Sequence, residues 1–237
     1  MTPNKPALLV GFAAEARVAR LSGWQVAIGG GTTAGAARMA RHLVEAGATG
    51  IVSFGLAGGL DRSMRPGTLI VAEAVAVDGR VLRTDPTLNV RLGGTTGHLC
   101  LGWNRAVASP DEKRRLSRET GASSVDMESG AVAEVAAAAG VPFAVLRAIC
   151  DPVDRAVPHA ALVALNAAGG LAAVRMAISI LARPRQIGAM LALAGDAAMA
   201  RRALRAHAVR MAPARHPHPE ISQEPLLDED LVADGSL

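Results

Sequence analysis

The sequence predicts an α/β protein built on a mixed sheet, and three observations carry that prediction. Short apolar runs of strand length alternate with alanine-rich stretches of helical length, an order that lays helices against a sheet. The runs are rich in Val, Leu and Ile and are bounded by Gly or Pro, as strands are. The run from Gly67 to Asp78 is followed at once by "VLRTD", which predicts a hairpin or meander and therefore an antiparallel component. A purely parallel, doubly wound sheet is the alternative.

Taken in order, "ALLVGF" is the first strand, and "GFAAEARVAR" turns out of it into a helix carrying Glu15 and Arg17. "QVAIGG" is the second strand, followed by a helix over Thr33 to Ala46. "GIVSFGLAGG" and "GTLIVAEAV" are further strands. A helix over Val125 to Ala139 precedes the strand "FAVLRAICD", and another helix is expected over Ala160 to Ala182. From Pro184 the pattern changes to one or two amphipathic helices. Beyond Ala212, Pro and acidic residues displace the periodicity, and disorder is expected. The expected division is a main domain over 1–183, a helical extension over 184–211 and an acidic tail over 212–237.

Composition narrows the function classes. With 237 residues and 50% hydrophobic content the chain can build one sizeable core, but only 2% is aromatic, so few rings are left to stack on a ligand. The formal charge of +4 is regional: Arg201, Arg202, Arg205, Arg210 and Arg215 cluster, whereas Glu220 to Asp234 holds six acids and no base. Without interleaved aromatics that basic stretch predicts no nucleic-acid partner. It suits a solvated helix face or peripheral contact with an anionic membrane surface. Cys100 and Cys150 have neither metal-site spacing nor the number of a disulfide framework, which predicts a reducing cytoplasm and no metal. No signal peptide opens the chain, and the most apolar window is broken by Asn166, Gly169, Gly170 and Arg175, so a soluble cytoplasmic protein is expected. The histidines, among them His98 and His159, are isolated and attract no chemical role.

Four stretches carry chemistry. In "SSVDMESGAVAEVAAAAG" helical spacing sends Glu128 the same way as Val132, Val135 and Ala139 and sends Glu134 toward solvent. An inward carboxylate marks either a structural ion pair or a site. "AIGGGTTAGAA" sets a glycine cluster with Gly30 and Thr32 between a strand and a helix, where backbone amides bind phosphate or simply make a tight turn. It is no dinucleotide motif, because Gly29, Gly31 and Gly35 miss the required spacing and the next strand does not end in an acid. "SFGLAGGLD" runs a strand into Ala57, Gly58 and Gly59, bare backbone on which a flat ligand can lie, with Ser53 available if it faces the ligand. "VLRAICDPVD" puts Arg147, Ile149 and Asp151 on one strand face, with Asp151 at the end where α/β sites form or else paired to Arg147.

The order "GFAAEAR", "AIGGGTTAGAA", "SFGLAGGL", "VDMESGAVAEVAAAAGVPF", "LRAICD" resembles the purine nucleoside phosphorylase and methylthioadenosine nucleosidase superfamily over roughly residues 8 to 182. "ASPDEKRRL", "CDPVDRAVPHAAL" and the helical extension are similar to its hopanoid-associated phosphorylase branch. The resemblance implies a three-layer fold and cleavage of a purine N-glycosidic bond, and the branch implies adenine release from adenosylhopane by phosphorolysis. A hydrolytic methylthioadenosine/S-adenosylhomocysteine-type nucleosidase or a phosphorylase of small purine nucleosides is the close alternative, and a non-catalytic nucleotide-binding module a more distant one. It implies that Met127 packs on the ribose, Glu128 holds its hydroxyls and Asp151 meets purine N7. Ala57, Gly58 and Ser53 would receive substrate. Either Arg17, with Gly30 and Thr32, binds inorganic phosphate as co-substrate, or Glu15 positions water. No other cofactor is implied, and homo-oligomers are usual.

Overall fold

The computed structural model describes residues 6–165 and 184–212, and most of the helix expected over Ala160 to Ala182, with the tail beyond 212, lies outside them. Among the described residues nine strands make one mixed sheet, in the three-layer arrangement expected. Its spine is β3 (Ile51–Gly59), with β1 (Ala7–Val10) parallel beside its first half and β2 (Gln25–Ile28) parallel beyond β1. The second half of that same edge of β3 instead pairs antiparallel with β8 (Ser124–Asp126). Beyond β8 come β7 (Leu99–Gly102), β5 (Ala74–Val77) and β6 (Arg80–Arg83). Along its other edge β3 pairs in parallel with β9 (Phe143–Asp151), and β4 (Leu69–Val71) runs antiparallel outside β9.

The stretch read as the single strand "GTLIVAEAV" is therefore two strands that part company, β4 joining β9 and β5 joining β7. The expected hairpin is β5–β6, closed by Asp78 and Gly79 at φ +46° and +71°, the two left-handed residues that suit the twist of a two-residue loop.

β1 is buried on both faces, and its two faces seed two cores. Leu9 packs with Ala36, Ala40 and Val132 of α2 (Thr33–Glu45) and α5 (Ser129–Ala139). Leu8 and Val10 pack on the other side with Ala16 of α1 (Ala13–Ala19) and with Ala200, Leu204 and Ala208 of the long C-terminal helix, Ile187–Met211. That helix is one continuous element whose apolar stripe completes the main core rather than an appendage beside it. α3 (Pro86–Arg91), α4 (Pro110–Thr120) and α6 (His159–Leu165) precede it, making it α7. α4 is bounded by its own residues: Ser109 accepts from the Glu112 amide at 3.1 Å, Pro110 starts the first turn and left-handed Gly121 ends the last. Alanine and glycine let the layers close; a Cβ on Gly35 would stand 1.9 Å from the Gly29 carbonyl oxygen.

Candidate active site

The split edge of β3 opens the site. Between Ser53, the last residue paired to β1, and Gly58, the first paired to β8, the strand has no partner on that side. Glu15 fills the gap. The turn after β1 brings its carboxylate back so that Oε2 accepts from the amides of Gly11 (3.0 Å) and Phe12 (2.9 Å), and Oε1 accepts from the unpaired amide of Leu56 (3.0 Å). A carboxylate has about four acceptor positions, so three amides leave roughly one open. Glu15 is buried, whereas Arg17, two residues on, is exposed and lies outside the cavity lining. Helical spacing turns them to different sides of α1.

Glu128 reaches the site for a different reason than its expected helix face. Ser124 to Asp126 form strand β8, the helix begins only at Ser129, and Glu128 is its N-cap residue, at φ −116° and ψ −35°. Ala139, expected on its inward face, is exposed. Asp126 builds this corner: its Oδ1 accepts from the amides of Glu128 (2.8 Å) and Ser129 (2.7 Å), and its Oδ2 accepts from the Ser129 hydroxyl (2.6 Å). The turn so fixed aims Glu128 at Glu15. A Cβ placed on Gly11 would sit 2.8 Å from Glu128 Oε1 and 3.1 Å from Glu15 Oε2, so Gly11 is the bare spot on which the two carboxylates converge.

Beneath them lies Arg147 of β9, only 1% exposed. Its Nε pairs with Asp126 at 2.9 Å and its Nη2 with Glu128 at 3.2 Å, while Nη2 also donates to the Ser53 hydroxyl at 2.6 Å. Ser53 is thus fully buried support under the cavity and does not face it, which corrects the expectation that its hydroxyl receives substrate. One guanidinium serves two carboxylates and sits closer to Asp126. Burial pushes Glu128 up from its ordinary 4.5 to about 7, against the pull of Arg147 and with the help of the charges on Asp126 and Glu15.

Asp151 ends β9, but it is not paired to Arg147. A bulge between Ala57 and Gly58 sets Gly58 opposite Asp151, skipping Cys150, so the two-residue period from Arg147 through Ile149 breaks before the strand ends. Asp151 lies against Gly58, whose Cβ would meet its Oδ2 at 3.2 Å, and Lys113 of α4 meets the same Oδ2 at 2.5 Å. The Cys150 thiol donates to Oδ1 at 3.0 Å.

These groups open into one cavity of about 480 Å³. Glu15, Ala57, Gly58, Met127, Glu128 and Asp151 all line it, as does Gly31. Gly30 and Thr32 do not: Gly30 is a left-handed turn residue, and the Thr32 side chain accepts from the Gly35 amide as the N-cap of α2. Thr33, a residue further, donates to the Met127 carbonyl at 3.0 Å and ties the glycine turn to the Glu128 corner. Trp103 is not in the lining; it packs with Leu116, Val107 and their neighbours, and the cavity's ring is Phe12. The outer wall is apolar, with Val157, Ala161 and, from α7, Met190, Leu193 and Ala197. Sequence reasoning missed Lys113 and Asp126, though the capping pattern "SPDE" marks the helix that carries Lys113. Among the described residues no cluster of His, Cys, Asp and Glu could hold a metal ion, and no helix is long and apolar enough to cross a membrane.

A sequence profile described as the Phosphorylase superfamily matches residues 97–183. No curated protein matches the sequence. Among solved structures, the 5′-methylthioadenosine/S-adenosylhomocysteine nucleosidase from Neisseria meningitidis in complex with methylthio-immucillin-A aligns over 88% of this chain and 99% of its own, with a TM-score of 0.62 and 17% identity. The corresponding nucleosidase from Helicobacter pylori with butyl-thio-DADMe-Immucillin-A aligns over 87% and 98%, with 0.61 and 18%. The futalosine hydrolase of Helicobacter pylori strain 26695 aligns over 86% and 97%, also with 0.61 and 18%. At these identities the likeness is one of fold.

Proposed function

We propose that the protein is a nucleosidase that hydrolyses the N-glycosidic bond of a purine nucleoside. The observation that carries this reading is the convergence of Glu15 and Glu128 on Gly11, in the cavity that Asp151 also lines. Breaking such a bond builds positive charge on the sugar and sends an electron pair to the base, so anions belong beside the ribose and a hydrogen-bonding acid group beside the purine. The base lies on Ala57 and Gly58, with Asp151 carrying the proton or hydrogen bond that meets N7. Glu128 accepts from the ribose hydroxyls and Met127 packs on the sugar. Glu15 uses its remaining acceptor position for a water. The water oxygen bonds to C1′, its proton passes toward Glu15, and the C1′–N9 bond breaks with its electrons moving into the purine. The nucleosidases and the futalosine hydrolase that share the fold agree with this class of reaction.

Among the described residues no unpaired cation lines the cavity, which favours hydrolysis over the phosphorolysis expected from the sequence. Arg17 points away, Arg147 and Lys113 are committed to carboxylates, and Arg105 at the cavity wall is paired with Glu112. Two carboxylates where phosphate would sit disfavour a dianion. The deciding assay follows adenine release from 5′-methylthioadenosine with and without inorganic phosphate. Release that is independent of phosphate is expected; release that requires phosphate and yields a sugar 1-phosphate sinks hydrolysis.

A second reading concerns the 5′ substituent. Met190, Leu193 and Ala197 give the cavity an apolar outer wall, and the same helix exposes Ile187, Leu191 and Arg201, Arg202 and Arg205. That combination supports a 5′-lipidated adenosine such as adenosylhopane, taken up at an anionic bilayer surface. Run in parallel with adenosylhopane in anionic vesicles, the assay should give a higher kcat/KM than with methylthioadenosine, and a lower one removes this reading.

A further inference from the structure

Behind Asp151 sits a cation that the reaction as described leaves without a task. Lys113 is 0% exposed, the only buried lysine among the described residues, and an unaided ammonium is costly to bury. All three of its protons are spent at one spot: Nζ donates to Asp151 Oδ2 at 2.5 Å and to the carbonyls of Pro152 and Arg155, each at 3.0 Å. Lys113 therefore fixes both the carboxylate and the backbone that leaves it. The same segment is pinned elsewhere too, by Arg114 to Asp154 at 2.9 Å, by Arg155 to Asp196 at 2.9 Å and by the Val157 amide to the Ala108 carbonyl at 2.9 Å. Lys113 alone among these ties touches the site carboxylate. A structural ammonium could be satisfied by carbonyls; this one faces the one acid at the purine end of the cavity.

We infer that Lys113 is a positioning residue for base departure, holding the Asp151 carboxylate against Gly58 so that it meets the leaving purine. The inference rests on the nucleoside-cleaving reading above. Lys113 does not line the cavity and acts only through Asp151.

The test compares two ribosides that differ in what the leaving group needs. A purine must be met at N7 as it leaves, whereas the nitrophenolate of 4-nitrophenyl β-D-riboside leaves without a proton. Lys113→Gln keeps a donor for the two carbonyls and removes the charge. It should lower kcat on methylthioadenosine by about 100-fold or more, the worth of acid assistance, with KM changed less than about threefold. Its activity on the nitrophenyl riboside should stay within about threefold of wild type, and Lys113→Arg should recover part of the purine activity. Equal losses on both substrates, a loss in KM alone or an unchanged kcat overturn the inference. Should Lys113→Gln not fold, Lys113→Arg decides it by selectivity: it keeps the charge but moves the carboxylate, so a partial loss of kcat confined to the purine supports the inference, and equal losses on both substrates or no loss overturn it. Where the wild type accepts only the purine, the split between kcat and KM decides. A wild-type protein that releases neither base nor nitrophenolate overturns the nucleosidase reading instead.

Discussion

Glu128 has two opposed demands on it. In the proposed role of accepting from ribose hydroxyls it serves best ionised, yet burial and the neighbouring Asp126 and Glu15 push it up to about 7, with Arg147 shared elsewhere. Activity should therefore climb with pH through about 7. In Glu128→Gln that limb should disappear, and kcat/KM at pH 8 should fall about 10- to 100-fold, as losing a hydrogen bond to a charged group costs about 1.5–3 kcal/mol. Stability runs the other way. A carboxyl raised in the folded state binds its proton more readily there than in the unfolded chain. Its contribution is full below the ordinary 4.5 and is lost as pH rises through about 7. Urea midpoints at pH 5 and pH 8 should differ less in Glu128→Gln than in wild type; an undiminished difference contradicts the assignment. At this scale the sequence marks residues by their own neighbours: Glu128 as an inward carboxylate, Ala57 and Gly58 as bare backbone, Asp151 at a strand end. It hides those defined by a distant partner. Lys113 and Asp151 are separated by 38 positions, and nothing local to either announces the pair.

Elements were legible where one period runs long enough. β9 and α2 follow from their apolar patterns, whereas β8, only three residues long, disappears into the helix that follows because Val125 and Asp126 satisfy either period. α7 shows how tertiary packing assigns an element its place. Its mixed apolar and arginine sequence suits a free amphipathic helix, but Ala200, Leu204 and Ala208 are buried against β9 and α1. Leu204→Ala should cost about 2–5 kcal/mol, as buried leucine truncations do. Arg205→Ala, one residue on and exposed, should stay within about 0.5 kcal/mol. Thermal unfolding of the two variants checks the contrast, and equal midpoints would contradict a load on the buried stripe.

Taken whole, the molecule gathers its site from far-apart segments: the turn after β1, the middle of β3, the β8–α5 corner, the end of β9 and the first half of α7. Alternating strands and helices gave away the class of fold, but the order of strands did not, because β3 divides one edge between β1 and β8 and no local pattern encodes that division. A ligand that bridges these segments should stabilise the entire fold by mass action, about 2.7 kcal/mol at 100 times its Kd. Melting with increasing methylthioadenosine or a non-hydrolysable analogue should show a concentration-dependent rise, and a flat midpoint would mean that the cavity does not take a nucleoside. α7 spans both regimes along its length. Its first three turns face the cavity through Met190, Leu193 and Ala197, and its later turns hold the core through Ala200, Leu204 and Ala208. Mutation can rewrite the early turns while the later ones keep the chain folded, so this helix is where the cavity can be reshaped without risk to the fold.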